Sequence, residues 1–327
     1  MRKKAFITGI TGQDASYLAE LLLEKDYEVH GLARRPAEGA GWVKGLLENP
    51  SRPLWLHEGG LADSGRLTEL LKTIRPDEIY NLAAQSDDVV SQGAPEYTLE
   101  INGLGPVRLL EAIFQSGVPA RFFQASSSEI FGSAKETPQT EKTPVRPLSP
   151  YGHAKVLADG MVAYYRTVRK LYAVSGILFN HESPRRGERF VTRKIAMGLA
   201  LILAGRQDKL VLGNLESKRD WGYAGDYARA MWLSLQPQEP DDYVIATGEN
   251  HSIREFLQEA FSYVGLDYLK YVETDPGFLR RVEIAEMRGD SSKARKVLGW
   301  NPTVGFRELV RLMVDAELKA LGLALPS

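Results

Sequence analysis

Short apolar segments alternate with longer amphipathic segments through the first half of the chain. Apolar runs with the length of buried strands lie at residues 5–8, 27–32, 54–57, 78–83, 121–125 and 173–179. Segments with apolar side chains at helical spacing lie at residues 17–23, 65–74, 95–116 and 151–170. This alternation predicts an α/β fold with a doubly wound parallel sheet, whose ligands bind beyond the carboxyl ends of the strands.

The alternation becomes less regular after residue 180. Helices are predicted over 190–204, over 252–264 and in a segment ending at 235, with short strands at 210–212 and 243–246 and two final helices after residue 283. Residues 36–52 and 132–148 predict loops, the first with a short helix. We therefore predict a larger domain over residues 1–180 and a smaller mixed α/β part over 181–327, some of which returns to the first domain.

A glycine turn follows the first predicted strand and precedes the first predicted helix. Gly9, Gly12 and Ala15 are spaced three residues apart, and this spacing lets backbone N–H groups approach a pyrophosphate at the helix N-terminus. Arg34 and Arg35 follow the second strand, where arginine suits the 2′-phosphate of NADP and an acidic residue would suit NAD. The alternatives are a plain strand–helix turn and a solvated arginine pair.

Tyr151 and Lys155 lie one helical turn apart at the start of a predicted helix. Ser149 is suited to cap the first turn, and Pro150 is suited to its first position. A cation near a phenol favours the phenolate, so the tyrosine can accept and return a proton below its usual pKa of about 10. The alternative is a packed tyrosine beside a solvated lysine, a common pattern on ordinary helices.

Composition narrows the classes of function. The 327 residues include 41 basic and 42 acidic side chains, so no global charge attracts nucleic acid or an anionic membrane. The chain has no cysteine, which excludes disulfides and thiolate chemistry, and its five histidines are scattered, so no metal site is expected. The apolar run near Met1 is too short to span a bilayer, and we expect a cytoplasmic protein.

Six stretches of the sequence together carry a family pattern. They read ITGITGQD (7–14), NLAAQS (81–86), QASSSE (124–129), SPYG (149–152), GILFNHESPRRG (176–187) and KRDWG (218–222). The chain resembles the extended short-chain dehydrogenase/reductase superfamily, which has a Rossmann fold, and within it the GDP-mannose 4,6-dehydratase family. The stretches extend from residue 7 to residue 222, and the one that begins at residue 176 is far more specific than the glycine turn.

The resemblance implies a role for each matching residue. The catalytic set is Ser127, Glu129, Tyr151 and Lys155. The residues that hold NADP are Gly9, Thr11, Gly12, Gln13, Asp14, Arg34, Arg35, Leu61, Ala83, Ala84, Ser86, Tyr151, Lys155, His181 and Arg186. The residues that hold the nucleotide sugar are Ser86, Ser127, Glu129, Asn180, Lys194, Leu212, Gly213, Arg219, Arg280 and Glu283. The implied partners are a GDP-hexose and further copies of the chain, in a homodimer or homotetramer.

The implied reaction is an NADP-dependent 4,6-dehydration of a nucleotide sugar, with GDP-mannose as the favoured substrate. Tyr151 takes the C4 hydroxyl proton while a hydride leaves C4 for NADP⁺. Glu129 then removes the C5 proton, which the new ketone has acidified, and the C6 hydroxyl departs as water before the hydride returns to C6. Glu129 distinguishes this lyase from a plain reductase or epimerase.

Several positions depart from the usual family pattern. Ser127 stands where threonine is usual, Ala15 where glycine is usual, and Gly60 where an aspartate near the adenine is usual. The other departures are Asp87, Asp88, Arg281 and Ala285. A related reductase or epimerase, a dehydratase of another GDP-sugar such as a heptose, and a non-catalytic nucleotide-binding paralogue are therefore kept as alternatives.

Overall fold

One parallel sheet forms the centre of the protein. The computed structural model describes residues 2–35, 41–47, 53–278 and 286–325, apart from the side chains of residues 88 and 89. The strands are β1 (Lys4–Thr8), β2 (Glu28–Ala33), β3 (Leu54–Glu58), β4 (Glu78–Asn81), β5 (Arg121–Ala125), β6 (Ala173–Leu178), β7 (His181–Glu182), β8 (Leu210–Leu212), β9 (Lys218–Arg219), β10 (Gly222–Tyr223), β11 (Tyr243–Ile245), β12 (His251–Ser252), β13 (Val272–Thr274) and β14 (Glu286–Met287).

The order of the strands in this sheet is that of a doubly wound fold. Seven strands pair in the order β11-β6-β5-β4-β1-β2-β3, and every pairing among them is parallel. The order reverses between β1 and β4, where such sheets bind their ligands. The predicted fold class is therefore confirmed.

Helices cover both faces of the sheet. They are α1 (Gln13–Glu24), α2 (Lys44–Leu47), α3 (Ser64–Ile74), α4 (Asp88–Gly93), α5 (Pro95–Leu99), α6 (Gly105–Ser116), α7 (Pro150–Thr167), α8 (Val191–Leu203), α9 (Ala224–Ser234), α10 (Ile253–Tyr263), α11 (Ser292–Leu298) and α12 (Phe306–Ala320). On one face α1 packs on α9, and on the other α3 packs on α6. Strands covered on both faces read as continuous apolar runs, which explains why β6 is buried along its whole length.

A further apolar cluster lies in the C-terminal half. Helices α8, α10 and α12 pack together there, around Leu199, Phe256 and Met313. A small sheet in the order β12-β9-β14 belongs to the same half. In contrast, β11 pairs with β6 and completes the central sheet. The chain thus returns to the first domain, while its division at residue 180 stays a prediction.

The segment after β4 differs from the sequence-based prediction. The strand predicted to reach residue 83 ends at Asn81. Helix α4 forms where none was predicted, because the side chain of Asp87 accepts a hydrogen bond from the N–H of Val90. The single helix predicted over 95–116 consists of α5, a π-helical turn at Glu100–Leu104 and α6.

In the part of the chain that the structure describes, no helix has both the length and the apolar character that crossing a membrane requires.

Candidate active site

Buried polar side chains connect the carboxyl ends of three central strands. Thr8 Oγ1 donates to Asn81 Oδ1 at 2.6 Å, and Asn81 Nδ2 donates to Gln124 Oε1 at 2.7 Å. Thr8 Oγ1 also accepts a hydrogen bond from the N–H of Ala83 at 3.1 Å. Buried polar groups are stable only when they are hydrogen-bonded. This series of hydrogen bonds therefore fixes β1, β4 and β5 relative to each other at the ligand-binding edge.

The glycine turn brings its backbone close to neighbouring backbone segments. Gly9 has a φ of +69°, and a Cβ there would lie 2.7 Å from Ala83 Cα. Gly12 forms the N-cap of α1 without any side-chain hydrogen bond to the first turn. The 3₁₀ turn at Gly41–Val43 packs over the loop, since a Cβ at Gly41 would lie 2.9 Å from Thr11 O. A side-chain-free turn before an uncapped helix fits the pyrophosphate of a dinucleotide.

The start of α1 is bound to the segment after β6. His181 Nε2 lies 2.9 Å from Asp14 Oδ2, and His181 Nδ1 lies 2.7 Å from Phe179 O. Gln13 Nε2 donates to His181 O at 3.2 Å, and Ser183 Oγ donates to Gln13 Oε1 at 2.7 Å. The structure thus brings together three residues that the sequence assigned to the cofactor, two from the start of the first domain and one from directly after its predicted end at residue 180.

Asp14 and His181 form a partly buried ion pair. Burial raises the pKa of Asp14, but the charge and hydrogen bond of His181 outweigh it and lower the pKa to about 2. Burial lowers the pKa of His181, but Asp14 outweighs that effect and raises it above the usual value. Both imidazole nitrogens face oxygen acceptors, and only the protonated ring donates from both.

Further side chains that the resemblance assigned to the cofactor lie after β2, β3 and β4. Arg34 Nη1 donates to Tyr97 OH at 2.8 Å. A Cβ at Gly60 would lie 3.7 Å from Arg34 Cγ, so the arginine stem covers the position of the missing aspartate. Leu61 is buried against the first turn of α6. Three other predicted residues lie on the surface at these strand ends, namely Arg35, Ala84 and Ser86.

The predicted catalytic residues meet where α7 begins. Ser149 Oγ accepts a hydrogen bond from the N–H of Gly152 at 3.1 Å, so the predicted cap is confirmed. A Cβ at Gly152 would lie 2.7 Å from Glu129 O, and only glycine permits so close an approach. Tyr151 is hydrogen-bonded to Ser127 through its side chain, and the charge of Glu129 acts on the Tyr151 phenol. A hydroxyl, a carboxylate and a phenol therefore converge.

Lys155 faces a different partner from the one expected. Its Nζ donates to Ala125 O at 2.6 Å and lies 5.4 Å from the centroid of the Tyr151 ring. Burial raises the pKa of Tyr151 to about 12, against the hydrogen bond of Ser127, which lowers it. The expectation that Tyr151 ionises below its usual pKa is therefore wrong for this structure, because burial is the largest effect on the phenol.

Comparison with known proteins identifies the family. A family model described as GDP-mannose 4,6 dehydratase matches residues 6–313. The chain belongs to the GDP-mannose 4,6-dehydratase family. The relative named GDP-mannose 4,6 dehydratase 1 from Arabidopsis thaliana is 50% identical over 327 residues, which cover 97% of this chain and 90% of the relative. The GDP-mannose 4,6-dehydratase of Vibrio cholerae is 44% identical over 352 residues, which cover 98% and 95%.

A solved structure supports the same assignment of fold. The UDP-glucose 4-epimerase of Thermus thermophilus in complex with NAD is 29% identical, with a TM-score of 0.83 over 97% of this chain and 99% of the epimerase. Membership of the GDP-mannose 4,6-dehydratase family confirms the predicted enzyme class. The chain is a nucleotide-sugar 4,6-dehydratase, a hydro-lyase of the extended short-chain dehydrogenase/reductase superfamily.

The residues that the GDP-mannose 4,6-dehydratase pattern assigned to the sugar nucleotide lie mainly in the C-terminal half. Asn180 follows β6, and its carbonyl accepts a hydrogen bond from the N–H of Gly222 at 2.9 Å. Lys194, in the first turn of α8, donates through Nζ to Val211 O at 2.8 Å. Leu212 ends β8, Gly213 directly follows it, and Arg219 ends β9. The predicted Arg280 and Glu283 lie outside the described residues.

Two departures from the family pattern have structural consequences. Asp87 caps α4 and forms an ion pair with Arg189 Nη1 at 3.1 Å, which links the loop after β4 to the loop before α8. Ser127 Oγ accepts a hydrogen bond from the N–H of Glu129 at 3.2 Å, so the serine hydroxyl keeps a fixed partner. The departures at Arg281 and Ala285 lie outside the described residues.

Among the described residues, no three or more acidic or histidine side chains are grouped to hold a metal ion.

The structure adds supporting residues that the sequence did not single out. Asn102, in the π-helical turn, accepts a hydrogen bond from the N–H of Gln85 at 2.8 Å and donates to its carbonyl at 2.7 Å. Ser91 Oγ accepts a hydrogen bond from the N–H of Tyr151 at 3.0 Å. Asp159 lies one turn beyond Lys155 on α7. No local sequence signal marks these residues, because their partners lie far away along the chain.

Proposed function

We propose that this nucleotide-sugar 4,6-dehydratase acts on GDP-mannose with NADP as its cofactor. The observation that carries the proposal is the convergence of Ser127, Glu129 and Tyr151 at the carboxyl edge of the sheet. A reductase or epimerase needs the redox pair of tyrosine and lysine, whereas elimination of water across C5 and C6 needs an additional acid/base. In this proposal Glu129 supplies it. The matching relatives carry the name GDP-mannose 4,6-dehydratase.

Tyr151 exchanges the proton of the C4 hydroxyl. The hydrogen bond with Ser127 favours the ionised phenol and acts against burial, which disfavours it. Lys155 contributes a positive charge on the same helical face, one turn away. NADP⁺, when bound beside these residues, would supply the hydride acceptor for C4 and the hydride donor for C6.

Glu129 transfers the protons of the elimination. Once C4 is a ketone, the C5 hydrogen is acidic, and a carboxylate removes it while the C6 hydroxyl leaves as water. A positioned acid/base contributes about 10²–10⁴ in rate. The backbone of Glu129 is fixed from both sides, by the Ser127 cap and by the close approach of Gly152, so its carboxylate starts from a defined position.

The glycine turn, the Asp14–His181 pair and the two arginines would hold NADP. The close approach of Gly9 to Ala83 and the uncapped start of α1 support a pyrophosphate at this turn. Arg35→Ala is expected to weaken NADP⁺ binding at least tenfold and to leave NAD⁺ binding nearly unchanged, since NAD lacks the 2′-phosphate. Calorimetric titration of both nucleotides measures this, and equal weakening of the two would remove the NADP assignment.

Incubation of the protein with GDP-mannose and catalytic NADP⁺, without reductant, tests the activity. We expect a 4-keto-6-deoxy product, a 10²–10⁴-fold lower kcat for Glu129→Gln, and partial activity for Glu129→Asp. Glu136→Gln, an exposed carboxylate in the following loop, is the matched control and is expected to stay at the wild-type rate. Consumption of a 4-keto sugar only with NADPH would favour a reductase. Nucleotide binding without any turnover would favour the non-catalytic paralogue.

A homodimer or homotetramer in the cytoplasm completes the proposal. Phe114 on α6 and Leu157 and Tyr164 on α7 are apolar and about 40% exposed on two neighbouring helices. Exposed apolar groups on adjacent elements are typical of protein interfaces. Light scattering is expected to give two or four times the mass of the chain, and a monomer at micromolar concentration would contradict this part of the proposal.

A further inference from the structure

Asp159 lies one helical turn beyond Lys155 and takes no part in the proposed chemistry. Its Oδ2 accepts a hydrogen bond from Ser126 Oγ at 2.5 Å, and its Oδ1 accepts one from Ser175 Oγ at 2.8 Å. Ser126 directly follows β5, and Ser175 lies within β6. The carboxylate therefore connects α7 to two strands whose carboxyl ends form the site.

The same cluster reaches Lys155 through β5. Lys155 Nζ donates to the carbonyl of Ala125, which directly precedes Ser126, and Lys155 is only 3% exposed. A buried ammonium group is costly unless an opposite charge compensates it. The carboxylates whose charge acts on Lys155 are Asp159, from its own helix, and Asp14, from α1.

We propose that Asp159 is the positioning residue of Lys155. Its carboxylate keeps the buried ammonium charged, and its hydrogen bond with Ser126 holds the strand end to which the ammonium donates. The inference rests on the proposed function, in which Lys155 supplies a positive charge beside Tyr151.

The charges around Asp159 set the pH range in which this arrangement works. Burial lowers the pKa of Lys155 to about 8, while Asp159 and Asp14 raise it. Burial raises the pKa of Asp159 to about 6, against the hydrogen bonds from Ser126 and Ser175. The charge of Asp242, directly before β11, raises this pKa further, and the charge of Lys155 lowers it.

The charge of Asp242 is itself largely balanced. Arg166, near the end of α7, donates to both of its carboxylate oxygens at 2.7 Å. Asp159 and Lys155 are therefore both charged between about pH 6 and pH 8. We expect kcat/KM to be highest in that range, because kcat/KM reports the ionisations of the free enzyme.

The test compares Asp159→Asn with the wild-type enzyme across pH. Asparagine retains the shape and can hydrogen-bond both serines, but it has no charge. The alkaline limb of kcat/KM with GDP-mannose is expected to move down by about one pH unit, because an opposite charge has been removed from the lysine. The titration of Lys155, followed by NMR of lysines labelled with ¹³C at Cε and assigned with Lys155→Ala, is expected to move by the same amount.

Two further variants separate charge from structure. Ser126→Ala removes a hydrogen bond to Asp159 but leaves the Asp159 charge. We therefore expect kcat to fall, while the alkaline limb of kcat/KM stays within about 0.3 pH unit of wild type. Loss of an opposite charge would move that limb by about 1 pH unit. Glu111→Gln is the matched control, since this carboxylate accepts a hydrogen bond from Tyr165 at the far end of α7; both readouts should stay unchanged.

An unchanged Lys155 titration in folded Asp159→Asn would overturn the inference. The NMR measurement needs no substrate, so it decides the role of Asp159 even if wild-type protein does not turn over GDP-mannose. That second result would contradict the proposed substrate and leave the charge coupling intact. If Asp159→Asn does not fold, Asp159→Glu replaces it: the longer side chain displaces the carboxylate, so the Lys155 titration is expected to move, and an unmoved titration would overturn the inference.

Discussion

Asn102→Ala tests whether the π-helical turn holds the loop after β4. Asn102 is 1% exposed and uses both ends of its amide on the backbone of Gln85, at 2.8 and 2.7 Å. Alanine leaves one N–H and one C=O in this loop without their partner. An unsatisfied buried polar group costs about 1–3 kcal/mol. Because Gln85 is only partly buried, we take the lower half of that range for each group and expect a loss of about 2–4 kcal/mol.

Urea titration measures this loss as a change in the free energy of unfolding. The matched control is Gln115→Ala on α6, whose amide hydrogen-bonds Glu111 at the surface, and its effect should stay within about 0.5 kcal/mol. We also expect the KM for GDP-mannose to rise in Asn102→Ala, since the loop carries Ser86. Unfolding within about 0.5 kcal/mol of wild type would refute the reasoning, because then water satisfies Gln85 as well as Asn102 does.

Two further predictions follow from backbone contact and charge. Gly152→Ala places a Cβ 2.7 Å from Glu129 O, so steady-state assays should show kcat about 10²-fold lower. The control is Gly160→Ala, which has open space on the same helix. It should keep kcat and raise the free energy of unfolding by up to about 1 kcal/mol. The pKa of Asp14 is lowered to about 2, and that of His181 is raised. The pair therefore stabilises the fold above about pH 4, and this stabilisation is lost as pH rises through the His181 pKa. Asp14→Asn should therefore destabilise more at about pH 5 than at about pH 9 in urea titrations, and equal losses at both would contradict the pair.

Local signals in the sequence predicted the elements that carry the site. Ser149 and Pro150 mark the start of α7 because capping depends on residues within one turn of each other, and the structure has the predicted hydrogen bond. The strand–glycine–helix pattern likewise predicted β1 and α1. The pairing of β1, β2 and β3 and that of β4, β5 and β6 follow because consecutive units of this fold are usually neighbours, whereas β4 pairs with β1 and not with β3.

Contacts between distant parts of the chain were beyond the sequence pattern. In the sequence Asp159 is an ordinary helical residue. Its partners lie 33 positions earlier, at Ser126, and 16 positions later, at Ser175, and only the fold brings them beside it. The direction of the Tyr151 pKa depends on burial by surrounding elements, and helical spacing to Lys155 does not report it. The π-helical turn that presents Asn102 follows from tertiary packing, which amphipathic periodicity does not encode.

Transfer of deuterium from C4 to C6 tests the central claim most directly. GDP-mannose labelled with deuterium at C4 is incubated with the protein and catalytic NADP⁺, and the product is examined by NMR and mass spectrometry. The account predicts a 4-keto-6-deoxy sugar that carries the deuterium in its C6 methyl group. A product that retains its C6 hydroxyl, or a C6 methyl group without the label, would contradict it.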